Sequence, residues 1–227
     1  MFYLYRPLEA NEEIVIGADV GEGVSYCAAV GLSKRHKDTP IVYHSRTEST
    51  QLGYELDKMG WYIKIKTGEL PLIAVERNIG AATIAKLRDL KYPLDRLYKQ
   101  ETFDRVINKP VERIGWETTS SNRRKMLDDL ALSLRNYDLR IYHKQIVTEM
   151  LTFVINERTN EPKHERSKFD DLIMALAIGW QMMSYKTDTA TWAQTKPEEV
   201  NPKALPPTAE GFIVEKFQEQ KDWRSAI

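Results

Sequence analysis

The chain has 227 residues, 42% apolar and 29% charged, and its 33 basic and 33 acidic side chains cancel to a formal net charge of zero. That is the make-up of an ordinary globular protein with one main domain, not of a strongly basic chain that holds nucleic acid by bulk charge. A single cysteine, Cys27, excludes an intrachain disulfide and fits a reducing compartment.

Residues 1–13 form a lead-in that lacks the basic start, long apolar run and small-residue cleavage site of a signal peptide. The β-branched run Ile14-Val15-Ile16, continuing to Asp19, predicts a buried first strand. A turn at Gly21-Glu22-Gly23 and a second apolar run over 26–32 complete a hairpin, and residues 41–45 extend it as a third antiparallel strand. From Ser49 the period changes: Leu52, Leu56, Met59 and Tyr62 predict a helix capped by Ser49 or Thr50. Leu72-Ile73-Ala74-Val75 predicts a short buried strand that ends at Glu76, followed by a helix over 79–90 and another strand over 94–98. This strand–helix–strand alternation implies partly parallel pairing.

Residues 103–117 alternate weakly, carry Arg105, Lys109 and Arg113, and predict an exposed hairpin or long loop. Ser120 or Ser121 then caps a helix with Met126, Leu127, Leu130, Leu134 and Tyr137 on its buried face. Arg123, Arg124 and Lys125 lie in its first turn, against the helix dipole, which points to a use other than helix stability. An edge strand over 139–142, a short helix over 145–151 and a second hairpin turning at Asn160-Glu161-Pro162 follow. The charged run Lys163-His164-Glu165-Arg166-Ser167-Lys168 leads into Phe169-Asp170-Asp171 and a helix apolar on most sides, expected to lie buried on the sheet. No window reaches the roughly 18 apolar residues of a membrane helix. Residues 14–186 therefore form the core domain, of α/β class with a mixed central sheet whose first three strands are antiparallel, flanked by helices and bearing hairpin insertions. Residues 187–227, rich in Pro, Thr and charge, form an arm with a short amphipathic segment over 212–223.

Three acidic sites are unusual. Asp19 lies in a buried strand, Glu76 ends another, and Asp170-Asp171 open a buried helix. Each has an ordinary explanation: Asp19 as a turn cap, Glu76 paired with Arg77 or Lys86, Asp170 as an N-cap. Together they fit one chemistry, because clustered carboxylates repel unless cations join them, and hard oxygen donors select Mg²⁺ or Mn²⁺. Two such ions serve phosphoryl displacement. No Cys/His zinc spacing and no Walker phosphate loop is present, so no ATPase activity is expected of this chain. Gly21-Glu22-Gly23 is followed by a strand rather than a helix and is no dinucleotide fingerprint, and no Gly-x-Ser-x-Gly elbow exists.

The order of these elements resembles the ribonuclease H-like nucleases. Gly17-Ala18-Asp19-Val20-Gly21-Glu22-Gly23, Val75-Glu76-Arg77-Asn78-x-Gly80 and Asp170-Asp171-Leu172-Ile173-Met174-Ala175-Leu176-Ala177 are similar to motifs of the nuclease domain of tailed-phage large terminases, a superfamily relative of RuvC-like enzymes. Gly115-Trp116-x-Thr118 before a basic-led helix is similar as well. The resemblance spans residues 14–183 and implies metal-dependent endonucleolytic cutting of double-stranded viral DNA at the start and end of genome packaging. It implies that Asp19, Glu76 and Asp170 hold two divalent ions, Mg²⁺ or Mn²⁺, with Asp171 as a fourth ligand or assistant and Glu22 and Gly23 in support. It further implies an ATPase motor domain, absent from this chain, a small terminase subunit and a portal as partners, and the host cytoplasm as location. Two departures stand out: Ser25 where relatives often have an acidic residue, and Phe169 where many have His, with His164 nearby.

Phosphate contacts are expected from Arg77, Arg105, Lys109, Arg113, Arg123, Arg124, Lys125, Lys163, Arg166 and Lys168, although each has a second reading as a solvated surface charge. Rival readings are a junction resolvase or transposase on the same fold, a ribonuclease acting on RNA–DNA hybrids, and a catalytically silent interaction domain whose carboxylates only cap and pair.

Overall fold

Continuous apolar runs in the first half of the chain build a five-stranded sheet whose central strands are buried on both faces. The computed structural model describes residues 1–21, 25–104, 108–156, 161–164 and 169–185. Strands β1 (Phe2–Leu4), β2 (Ile14–Asp19), β3 (Cys27–Ser33), β4 (Asp38–Ser45) and β5 (Leu72–Val75) lie in the order β1-β4-β3-β2-β5. All neighbours are antiparallel except β2 and β5, which are parallel. This is the expected mixed sheet with an antiparallel meander.

Helices cover both faces. On one, Ile14, Ile16 and Ala18 of β2 pack with Leu52, Leu56, Met59 and Ile63 of α1 (Ser49–Thr67) and with Ile84 and Leu87 of α2 (Ala81–Asp89). On the other, Val15, Leu72 and Ala74 meet α3 (Ser120–Arg135), α4 (Lys144–Leu151) and α5 (Asp171–Met182). Nine of the first nine residues of α5, Asp171 through Gly179, are buried, as its all-round apolar sequence requires. No helix among the described residues is long and apolar enough to cross a membrane.

Several expectations are corrected. Within the stretch expected as a lead-in, Phe2–Leu4 adds an edge strand to β4. Arg6 then bridges the fully buried Glu12 and Asp38, donating to both Asp38 oxygens at 2.7 and 2.8 Å; two buried carboxylates demand such a partner. Residues 94–98 are not a strand: Leu94–Arg96 is a 3-10 turn after Pro93, and only Leu97 bridges to Ile73. Residues 139–142 likewise supply a single bridge, Arg140 to Asp38. Helix α1 is preceded by Glu48, not capped by Ser49 or Thr50. Helix α3 is capped by Thr119, not Ser120 or Ser121, in a capping box with Asn122.

The expected hairpin begins earlier than residue 103, as β6 (Lys99–Asp104) paired with β7 (Lys109–Ile114). The second hairpin is β8 (Phe153–Asn156) with β9 (Glu161–His164).

Candidate functional site

Strand register brings the first two carboxylates together. In β2 and β5 the pairs run from Val15↔Leu72 to Ala18↔Val75, and the Glu76 amide then donates to the Ala18 carbonyl at 2.8 Å. Asp19 and Glu76 are thus the next positions on adjacent strands. Alternation puts Asp19 on the same face as Val15 and Gly17, and Glu76 on the same face as Leu72 and Ala74. That face carries α5, whose first residue is Asp171 and whose N-cap is Asp170.

Two glycines permit the close approach. A Cβ on Gly17 would stand 2.1 Å from the Ala175 carbonyl oxygen and 2.2 Å from the Gly179 amide nitrogen, so only glycine lets β2 meet the α5 backbone. A Cβ on Gly80 would meet the Glu76 carbonyl oxygen at 2.0 Å. Glycine there allows the chain to fold back tightly beneath Glu76 into α2.

Asp19, Glu76 and Asp171 are all buried, while Asp170 is partly exposed. Burial, followed by the neighbouring Glu76, Asp171 and Asp170, pushes the Asp19 carboxyl well above the usual carboxylate range, and Asp19 hydrogen-bonds Glu76. Among the described residues, no three His, Cys, Asp or Glu side chains already stand in a metal-ligand arrangement. The raised Asp19 carboxyl is the mark of acidic groups crowded together in a buried place without a cation between them. The donor set, four carboxylates with mutual repulsion and no sulfur or imidazole among them, fits a hard divalent ion. Cys27 is buried and its thiol pushed up by burial, which leaves it no part as a nucleophile.

The expected cations divide. Arg123 donates to Asp170 at 3.0 Å, so it steers a carboxylate of the cluster. Arg77, beside Glu76, pairs with Glu117 and is mostly covered. Arg124 and Lys125 are exposed and pair along α3 with Asp128 and Asp129. Lys109 and Arg113 are exposed on β7. Glu22, Gly23, Arg105, Arg166 and Lys168 lie outside the described residues, and Lys163 and His164 enter through the backbone of β9 alone.

Two residues escaped the sequence reading. Arg46, exposed at the end of β4, lies 4.8 Å from the Tyr26 ring and 5.9 Å from that of Phe169, the residue directly before the paired aspartates. Nothing in its sequence neighbourhood signals this. Glu149 on α4 is 3% exposed and accepts from the amides of Leu172 (3.0 Å) and Ile173 (3.2 Å) in the first turn of α5. Burial, with help from the charges of Asp171 and Asp170, pushes its carboxyl up to about 8 against the opposing amide bonds. A signal existed here, since Glu149 shares a helical face with Ile146.

No protein-family model and no curated protein matches the chain by sequence. Among solved structures it is similar to the large terminase nuclease from thermophilic phage G20c, with a TM-score of 0.58 and 15% identity over 79% of this chain and 87% of that one. The magnesium-bound form of that nuclease gives the same TM-score and identity over 79% and 86%, and forms with bound cobalt and zinc also match. The Thermus phage P74-26 large terminase nuclease domain matches with a TM-score of 0.54 and 15% identity over 80% and 85%. The human cytomegalovirus terminase nuclease domain, manganese-soaked and inhibitor-bound, gives 0.50 and 11% over 76% and 84%. The chain therefore has the ribonuclease H-like fold of large-terminase nuclease domains.

Proposed function

We propose that this chain is the nuclease part of a tailed-phage large terminase, a metal-dependent endonuclease that cuts double-stranded viral DNA during genome packaging. The observation that carries the reading is the meeting of β2, β5 and α5 at Asp19, Glu76, Asp170 and Asp171, where burial first and the neighbouring carboxylates second raise the Asp19 carboxyl above its usual range. Magnesium, cobalt and zinc in the phage G20c nuclease support a divalent ion on this fold.

Asp19, Glu76 and Asp170 would hold two Mg²⁺ or Mn²⁺ ions, with Asp171 assisting. Once bound, the ions supply an activated water and stabilise the leaving 3′-oxygen. The protein's own groups do the rest. Asp19, its carboxyl raised by burial, would give up its proton when a cation takes its place. Arg123 orients Asp170 from the α3 side. Arg46, braced by Tyr26 and Phe169, offers a positioned charge for a DNA phosphate at the rim. Exposed pairs such as Arg124 with Asp128 are weak enough to exchange a carboxylate for a phosphate. Arg77, Arg105, Lys109, Arg113, Lys125, Lys163, Arg166 and Lys168 complete the proposed DNA contacts, with Glu22 and Gly23 supporting the first motif. The reading places the chain in the host cytoplasm with an ATPase motor, a small terminase subunit and a portal.

Calorimetric titration of Mn²⁺, with and without a non-hydrolysable DNA duplex, tests the metal assignment. The wild type should bind Mn²⁺ in at least one of these states and Glu76→Gln should bind far more weakly. Equal binding by both proteins would remove Glu76 from the site.

A further inference from the structure

The first turn of a helix exposes amides that the N-cap side chain ordinarily satisfies. In α5 the N-cap is Asp170, a residue type well suited to that task, yet its side chain makes no capping bond and accepts from Arg123 instead. The amides of Leu172 and Ile173 are satisfied from another helix, by one carboxylate oxygen, Oε2, of Glu149. Its other oxygen, Oε1, is buried with no hydrogen-bond partner. Burying a carboxyl half-satisfied is a poor way to stabilise a helix that could cap itself. The arrangement makes sense if Asp170 is needed elsewhere.

We propose that Glu149 is a positioning residue of the acidic site: by capping α5 it relieves Asp170 of that task and sets the depth at which α5 presents Asp170 and Asp171 to Asp19 and Glu76. The inference rests on the metal-site reading above. It predicts that reach matters and charge does not. Glutamine keeps the length and an acceptor oxygen, whereas aspartate keeps the charge but is one methylene short.

The test compares the full chain with Glu149→Gln and Glu149→Asp by three measurements: amide hydrogen exchange at Leu172 and Ile173, calorimetric Mn²⁺ affinity, and kcat and KM on plasmid DNA. Glu149→Gln should match the wild type in all three. Glu149→Asp, folded by circular dichroism, should exchange those two amides faster. It should also lose about 10-fold or more in Mn²⁺ affinity and kcat with KM unchanged, as supporting partners of metal ligands do. Protected amides and wild-type Mn²⁺ affinity in Glu149→Asp would overturn the proposal. So would a Glu149→Gln variant as impaired as Glu149→Asp, since charge would then be the active property. A wild type that binds no Mn²⁺ would overturn the metal-site reading itself, a result distinct from either reversal among the variants.

Discussion

Gly17→Ala probes how the site is assembled. The added methyl would lie 2.1 Å from the Ala175 carbonyl oxygen and 2.2 Å from the Gly179 amide nitrogen. Both are backbone atoms of α5, so no rotamer change relieves the contact. The helix must retreat by more than about 1 Å before the separation becomes an ordinary van der Waals one. Overpacking of this kind costs about 1–3 kcal/mol, which for a domain of this size lowers Tm by roughly 2–12 °C. Because α5 carries Asp170 and Asp171, the same retreat displaces half of the carboxylates, and a misplacement near 1 Å costs on the order of 100-fold in rate. Gly179→Ala is the control. Its methyl meets the tip of Leu32 at 2.4 Å and the Gly17 amide nitrogen only at 3.1 Å, so the strain falls mostly on one side-chain end and a smaller loss, about 1 kcal/mol, is expected. Thermal unfolding by circular dichroism and Mn²⁺-supported plasmid cleavage read both effects. A Gly17→Ala protein with wild-type Tm and activity, or a Gly179→Ala protein that suffers more, would refute the reasoning.

Three other outcomes follow from the charge distribution. Asp19→Asn should raise the Tm of the metal-free protein. The Asp19 pKa is raised in the folded state, so its contribution is full below its unfolded value and is lost as pH rises; the advantage of Asn should therefore grow from acid to neutral pH in unfolding scans. Arg6→Met should cost about 3–5 kcal/mol in urea unfolding, because Glu12 and Asp38 would remain buried without their shared cation. His44, stacked on Tyr26, is lowered by burial to about 4. Its contribution is full above its unfolded pKa and falls away as pH drops toward 4, worth about 1–2 kcal/mol after allowance for partial exposure. His44→Gln should remove that part of the acid sensitivity between pH 6.5 and 4.5, and an unchanged acid profile would contradict it.

What was legible in the sequence was whatever depends on local period and on chemical oddity. The β-branched run into Asp19, the apolar tetrapeptide before Glu76 and the all-apolar helix behind Asp170-Asp171 each announced a buried element bearing a charge. The alternation of strand and helix after residue 72 implied partly parallel pairing, which β2 with β5 supplies, not the expected strand over 94–98. Elements held by one or two backbone bonds were not legible. Residues 94–98 look like a strand by composition but contribute one bridge, because Pro93 starts a turn and the buried Arg96 donates to the Leu70 carbonyl. Long-range partners were also hidden. Arg6 meets Asp38, Arg123 meets Asp170 and Glu149 meets α5 only through tertiary packing. Thr119 displaced the expected serine caps because Asn122 completes a reciprocal pair that neither serine would have.

The central claim is that Asp19, Glu76, Asp170 and Asp171 form a metal-dependent nuclease centre. Supercoiled plasmid incubated with the purified chain in Mn²⁺, Mg²⁺ or EDTA, beside Asp19→Asn, addresses it directly. The account predicts nicking and linearisation by the wild type with a divalent ion, none in EDTA, and none from Asp19→Asn under any condition. Cleavage by Asp19→Asn at the wild-type rate, or cleavage that persists in EDTA, would contradict it.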